Sequence, residues 1–526
     1  MTRRRPILCW PILTTAVCAA VWWTLHVPHT PRKIFSAIPV QATFLSAHKN
    51  LAGRWDAVGA NPLTQSVLMY LNTSQDDWRS LNRDPQFRDW LSRLASDDFA
   101  LAFVPQLAEG ETGWVFASWL GGKSQRLRFA LQWSEIPGIT FAGTRHGWPV
   151  WIASSPMFKG GEVLAFSLVE GMLVASYAKS AHGIETVLSC VDGRYPSLMI
   201  RNGGDEIPPP DFSDRGWYRI PDSSKGFFNA PRLQFSFSTI SSNKLAGIFR
   251  VPFSWLEGAR PLPETAPDSI ASWQTDLPSA VLIAPSANAR DWILQCGTDS
   301  VSRAFADLIR DETGGPLFAS LFTGDYRGTL FGMKLPALFV AAASTNANEF
   351  SAQLSRGLDA VNAENPWGLR AEKSLSPIAD VFAISATNGS LYSDSARGEK
   401  IGFAAGTNWV LASSCVGAFT NVLGDAVLRE NRPARFALAA KSAARGGAAA
   451  YFWINLPGCW PAVRTGVGAY SMRLQMEDRR GSAAFRAELT SALDWFVNLS
   501  LLGGAEFWAK PVAGGATEIR FETTTE

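Results

Sequence analysis

The chain has 526 residues, of which 47% are hydrophobic and 18% charged, with a formal net charge of +2. That balance excludes a disordered polyelectrolyte. Lys and Arg are scattered, without the basic stripe a nucleic-acid partner needs, and the length requires two or more domains.

Arg3, Arg4 and Arg5 precede an apolar run, residues 7–27, and no further charge occurs before Arg32. A run of about 20 apolar residues spans a bilayer. Trp22, Trp23 and His26 suit its far interface, and the basic end is expected to stay cytoplasmic with the bulk outside. The competing reading is a cleaved signal peptide, for which AVCAA at 16–20 supplies small residues. Val17 before Cys18 disfavours a lipoprotein.

Beyond residue 37 the chain repeats itself. IPVQATFLSAHKNLAGRW (38–55) has the plan of LPSAVLIAPSANARDW (277–292): a proline, a short apolar strand, a polar turn, then a helix carrying Trp. GWVFASWL (113–120) corresponds in kind to PALFVAAA (336–343). GEVLAFSLVEGMLVAS (161–176) aligns without a gap on GEKIGFAAGTNWVLAS (398–413), an offset of 237. LAFSLVEGMLVAS reads as two strands about a Glu170-Gly171 turn, and AHGIETVLSC after it as a short helix. RNGGDEIPPPDFSDRG (201–216) reads as a surface loop and EGARPLPETAPDSIASWQTD (257–276) as a linker. In the second copy, NANEFSAQLSRGLDAVN (346–362) places Phe350, Leu354, Leu358 and Val361 on one helix face, and 471–489 alternates as a hairpin.

The expected class is α+β: two tandem repeated domains, each a largely antiparallel sheet with packed helices, behind one N-terminal membrane helix. The expected boundaries are 1–37 for the basic end, anchor and flank, 38–256 for the first repeat, 257–276 for the Pro-rich linker and 277–526 for the second repeat. SDDFALAFVP (96–105) and the two aligned hairpins make the chain resemble an uncharacterised domain family of bacterial envelope proteins, exported and membrane-anchored. The resemblance implies location and domain plan, and no activity.

ASWLGGKS (117–124) satisfies the looser form of a phosphate-binding loop. The second copy has Ser344, Thr345, Asn346 and Ala347 there, and no strand ending in a magnesium-binding Asp accompanies it, so a turn in a duplicated fold is expected instead. Neither G-x-S-x-G nor H-E-x-x-H occurs, and His26, His29, His48, His146 and His182 read as surface or capping residues. Asp205, Glu206, Asp211 and Asp214 lack regular calcium spacing and read as a solvated loop. Cys190, Cys296, Cys415 and Cys459 form either two disulfides or buried thiols. No catalytic, cofactor-binding or metal residue is assigned and no cofactor is expected. The 21 Trp residues are expected mainly in the core.

The leading expectation is a membrane-anchored extracytoplasmic (periplasmic) binding or scaffold protein of the bacterial envelope, more readily a non-enzyme. Its expected partners are the membrane, through the N-terminal helix, and an envelope protein or cell-wall component. The alternative is an envelope hydrolase whose acid and base are assembled from distant positions.

Overall fold

The structure is a computed structural model that describes residues 27–64, 82–108, 110–154, 161–199, 211–219, 232–251, 259–263, 279–296, 316–330, 333–343, 349–364, 368–375, 379–387, 400–406, 409–414, 435–461, 500–512 and 516–524, with a few isolated positions. The chain divides into two compact units. Unit 1 comprises Met1–Ala60, Ser74–Ser224 and Pro231–Ser238, and unit 2 comprises Asn61–Thr73, Lys225–Ala230 and Thr239–Glu526.

Unit 1 contains β1 (Phe44–Lys49), α1 (Trp55–Ala60), α2 (Pro85–Leu94), β2 (Asp98–Ala108), β3 (Glu111–Trp119), α3 (Lys123–Trp133), β4 (Ile139–Arg145), β5 (Trp148–Ala153), β6 (Val163–Val169), β7 (Met172–Ala178), α4 (Gly183–Val191), β8 (Asp214–Arg219) and most of β9 (Arg232–Ile240). Its strands pair antiparallel in the order β4-β5-β6-β7-β3-β2-β1-β8-β9. Period-two alternation explains the core: in β2, Ala100, Ala102 and Val104 are buried while their neighbours are only half-buried. These small side chains, with Leu45, Ala47, Val115 and Ala117, form a face low enough to receive Ile34, Phe35 and Ile38 and the Ile184, Val187 and Leu188 stripe of α4. On the opposite face, Leu127 and Leu131 of α3 lie over Trp151, Phe166 and Leu168. The β6–β7 hairpin turns at Glu170 and Gly171, with φ of 47° and 88°. Two successive positive φ values give the turn whose twist matches paired strands, and Gly takes the second at no steric cost.

Unit 2 contains β10 (Leu245–Val251), β11 (Ala280–Pro285), α5 (Ser286–Cys296), β12 (Pro316–Leu330), β13 (Met333–Ala343), α6 (Phe350–Glu364), β14 (Leu369–Leu375), β15 (Asp380–Ala386), β16 (Gly402–Ala405), β17 (Trp409–Ser413), α7 (Arg435–Arg445), β18 (Ala450–Asn455), β19 (Gly504–Val512) and β20 (Ala516–Thr524). Its order is β14-β15-β16-β17-β13-β12-β11-β18-β19-β20-β10. One core joins Val281, Ile283, Phe339, Leu411, Tyr451 and Trp453 to α7; another joins Phe350 and Leu354 of α6 to Phe382, Phe403 and Val410.

The expected fold class is corrected. Antiparallel sheet dominates both units, with 20 strands in all, and no membrane helix occurs among the described residues, so the α+β class behind a membrane helix does not hold and the tandem-domain plan is not confirmed. Aligning a sequence on itself finds like segments, but it carries no information on which strand edges pair. One order of pairing occurs in both units, and in register. Leu45 stands between Ala102 and Trp217 as Val281 stands between Ser320 and Trp453, and Val115 faces Ser176 as Phe339 faces Ser413.

The membrane assignments are corrected too. Among the described residues no helix is long and apolar enough to cross a membrane, which overturns the transmembrane helix, the signal-anchor and the single-pass localisation. Most of residues 7–27 lie outside the described residues. Val27 packs against the unit 1 core, and residues 31–37 form a short 3-10 segment that enters it. The hairpin expected at 471–489 and most of the linker 257–276 also lie outside the described residues.

Candidate functional site

On β1 the side chains of Leu45 and Ala47 enter the core, so alternation sends Ser46 and His48 to the other face. Asp214, the first residue of β8, stands directly opposite His48, and Gly216 opposite Ser46. His48 Nδ1 lies 2.7 Å from Asp214 Oδ1, and His48 Nε2 lies 2.8 Å from Ser46 Oγ. An ionised carboxylate only accepts, so Nδ1–H donates to Asp214 and, in the neutral ring, Nε2 accepts from the Ser46 hydroxyl. Arg54 closes the cluster: its two terminal nitrogens donate to the two Asp214 oxygens at 2.5 and 2.8 Å, and it also donates to the carbonyl of Lys49.

Asp214's side chain is 3% exposed, against 18% for His48 and 28% for Arg54. Burial alone would push the Asp214 carboxyl up, but hydrogen bonds and charge from His48 and Arg54 overcome it and hold the group below the ordinary carboxylate value. Across the sheet, Asp98 behaves oppositely: burial raises it, with Arg215 at 3.9 Å opposing. In the register of unit 2, Leu282 and Phe452 stand where Ser46 and Gly216 stand, and Ala284 takes the place of His48. The ladder therefore holds without this polar cluster.

The distances are those of a nucleophile, base and acid relay. Three features oppose nucleophilic chemistry. Ser46 lies in a strand paired on both sides, so the backbone amides of its strand serve the ladder and not an oxyanion. Arg54 already neutralises Asp214 through both oxygens, which weakens its support of an imidazolium. Ser46 is itself 7% exposed. The cluster is best described as a clasp fastening β1, β8 and the segment at Arg54.

The remaining candidates fall apart chemically. ASWLGGKS does run from strand through turn to helix, ending β3 and opening α3. Its amides are spent: Leu120 and Gly121 N–H both donate to the Gly171 carbonyl at 2.9 Å, and Lys123 and Ser124 N–H donate to the carbonyls of Leu120 and Gly121. Lys123 Nζ donates to Ser96 Oγ at 3.0 Å. No phosphate cradle survives. Millimolar MgATP is accordingly expected to leave the melting temperature of both the wild type and Lys123→Ala unchanged; a shift in the wild type alone would overturn this reading.

His29 reaches Asp97 at 3.3 Å, His146 reaches Ser189 at 3.2 Å, and His182 is exposed beside Glu185. Among the described residues no group of three or more His, Cys, Asp or Glu could hold a metal ion. Cys190 and Cys459 are buried free thiols whose pKa burial pushes up to about 12 and about 11, which makes them poor nucleophiles. Of the acids read as a solvated loop, Asp205 and Glu206 lie outside the described residues and Asp211 is exposed. Asp214 is instead buried in a strand. The alternation in FLSAHK already places Ser46 and His48 on one face; nothing local announces a partner 166 residues on.

One further feature of unit 1 lies on α3. Leu127 and Leu131 face the sheet, while Phe129 and Trp133 are 65% and 79% exposed, their rings stacked 6.1 Å apart. Comparison with protein-family models, with curated proteins and with solved structures gives no match to the chain.

Proposed function

We propose that the protein is a non-catalytic binding or scaffold protein whose recognition surface lies on unit 1. The observation that carries this reading is the outward face of α3. Large aromatic side chains are rarely left in water without a partner to meet, and the unit 2 helix after the corresponding hairpin, α6, buries its Phe350, Leu354 and Val361. A second reading, a serine hydrolase, is favoured by the Ser46–His48–Asp214 distances alone.

Reaction of the full chain with a fluorophosphonate separates the two. The binding reading expects no adduct at Ser46 under conditions that label a serine hydrolase to completion. A Ser46 adduct that disappears in His48→Ala would overturn it in favour of the hydrolase.

A further inference from the structure

We infer that the outward face of α3 docks on an anionic lipid surface, an inference that rests on reading this face as the recognition surface. The helix carries Lys123, Arg126 and Arg128 and no carboxylate, the nearest in sequence being Glu135 just beyond its C-terminal end. Lys123, Arg126, Phe129 and Trp133 are exposed, at spacings of three and four residues, so cations and aromatic rings share one side of the helix. Among the described residues neither Arg126 nor Arg128 has a carboxylate within ion-pair distance. Phe141 of β4, 63% exposed, adds a third ring on the same face of the sheet, its edge against the Trp151 that α3 covers.

An uncompensated positive charge selects an anionic partner. Stacked rings standing outward, on a convex helix surface, suit a partner that flows around them. The boundary between headgroups and acyl chains does this, taking Trp and Phe into its apolar side while phosphates meet Lys and Arg. An acidic peptide would need a groove to hold it, and the rings stand out from α3 as a ridge.

The test uses the full chain with vesicles of phosphatidylglycerol or of phosphatidylcholine. Vesicle binding of the full chain does not say which residues make the contact, so the readout is local: hydroxyl-radical oxidation of Trp133, read by peptide mass spectrometry. Trp133 oxidation is expected to fall at least threefold on phosphatidylglycerol, to stay unchanged on phosphatidylcholine, and to recover in 0.5 M salt as screening shortens to a few ångströms. Lys123→Glu with Arg126→Glu should weaken the protection more than tenfold in lipid concentration, at about fivefold per cation lost. Both positions are on the helix surface, and an unchanged melting temperature confirms folding. Unaltered Trp133 oxidation on vesicle-bound protein overturns the inference, as does equal protection on both lipids or protection by soluble polyglutamate alone. These outcomes leave the binding reading standing; only the Ser46 adduct removes that.

Discussion

Trp217→Ala is expected to lower the free energy of unfolding by about 3–5 kcal/mol, the range for removing a fully buried large aromatic side chain. Trp217 is 1% exposed, lies opposite Leu45 in the unit 1 core, and has the Arg232 guanidinium 4.7 Å over its ring. Trp453, 0% exposed and opposite Val281, occupies the same register position in unit 2, and Trp453→Ala should cost a similar amount. Urea unfolding followed by far-ultraviolet circular dichroism supplies the measurement. A loss below about 1 kcal/mol for either would show that the neighbours collapse into the space, contrary to a close-packed core. Trp217→Phe should cost less than Trp217→Ala, because most of the ring volume is retained.

Asp214→Ala should be the most damaging polar substitution, at about 3 kcal/mol. Removing one partner of a buried ion pair costs roughly 3–5 kcal/mol, and the partial access of His48 and Arg54 to water places this case at the lower end. The pH dependence follows from sign. The folded Asp214 carboxyl is held below its ordinary value, so its stabilisation is fully present above the unfolded value of about 3.9 and disappears as pH falls through the folded one. Asp98 acts in the other direction, since burial raises its pKa and that cost is relieved on acidification. The difference between wild type and Asp214→Asn isolates the first effect: it should be constant from pH 7 to about 5 and shrink below about pH 4. A difference independent of pH down to 2 would mean that Asp214 titrates as an ordinary surface acid.

Local features were legible from the sequence. Alternation around Glu170-Gly171 places β6 and β7 where they stand, and the spacing of Phe350, Leu354 and Val361 matches the buried face of α6. Long-range pairing was not legible. The β3 edge pairs with β7 across three intervening strands, β4, β5 and β6, a choice that no local pattern announces. Asp214 was hidden for a related reason: the prolines at 208–210 make its segment read as a loop, although DRGWYR, separated from them by three residues, forms a strand buried over its first four residues. The Ser46–His48–Asp214 contact needed both errors resolved together. The exposed rings of α3 were obscured because their alternation fits a strand as well as a helix, and only the packing of the half-buried Leu127 and Leu131 against the sheet distinguishes the two.

The carbonyl of Gly171 accepts from both Leu120 and Gly121. A single oxygen thus fastens the start of α3 to the tip of a hairpin some fifty residues further along the chain. Opening of that hairpin tip releases both amides in one event, so the two belong to one cooperative unit of local unfolding. The steadiness of the Phe129–Trp133 ridge is therefore inherited from β6 and β7: helix propensity within KSQRLRFALQW shapes the ridge, and a hairpin turn decides how long it stays in place.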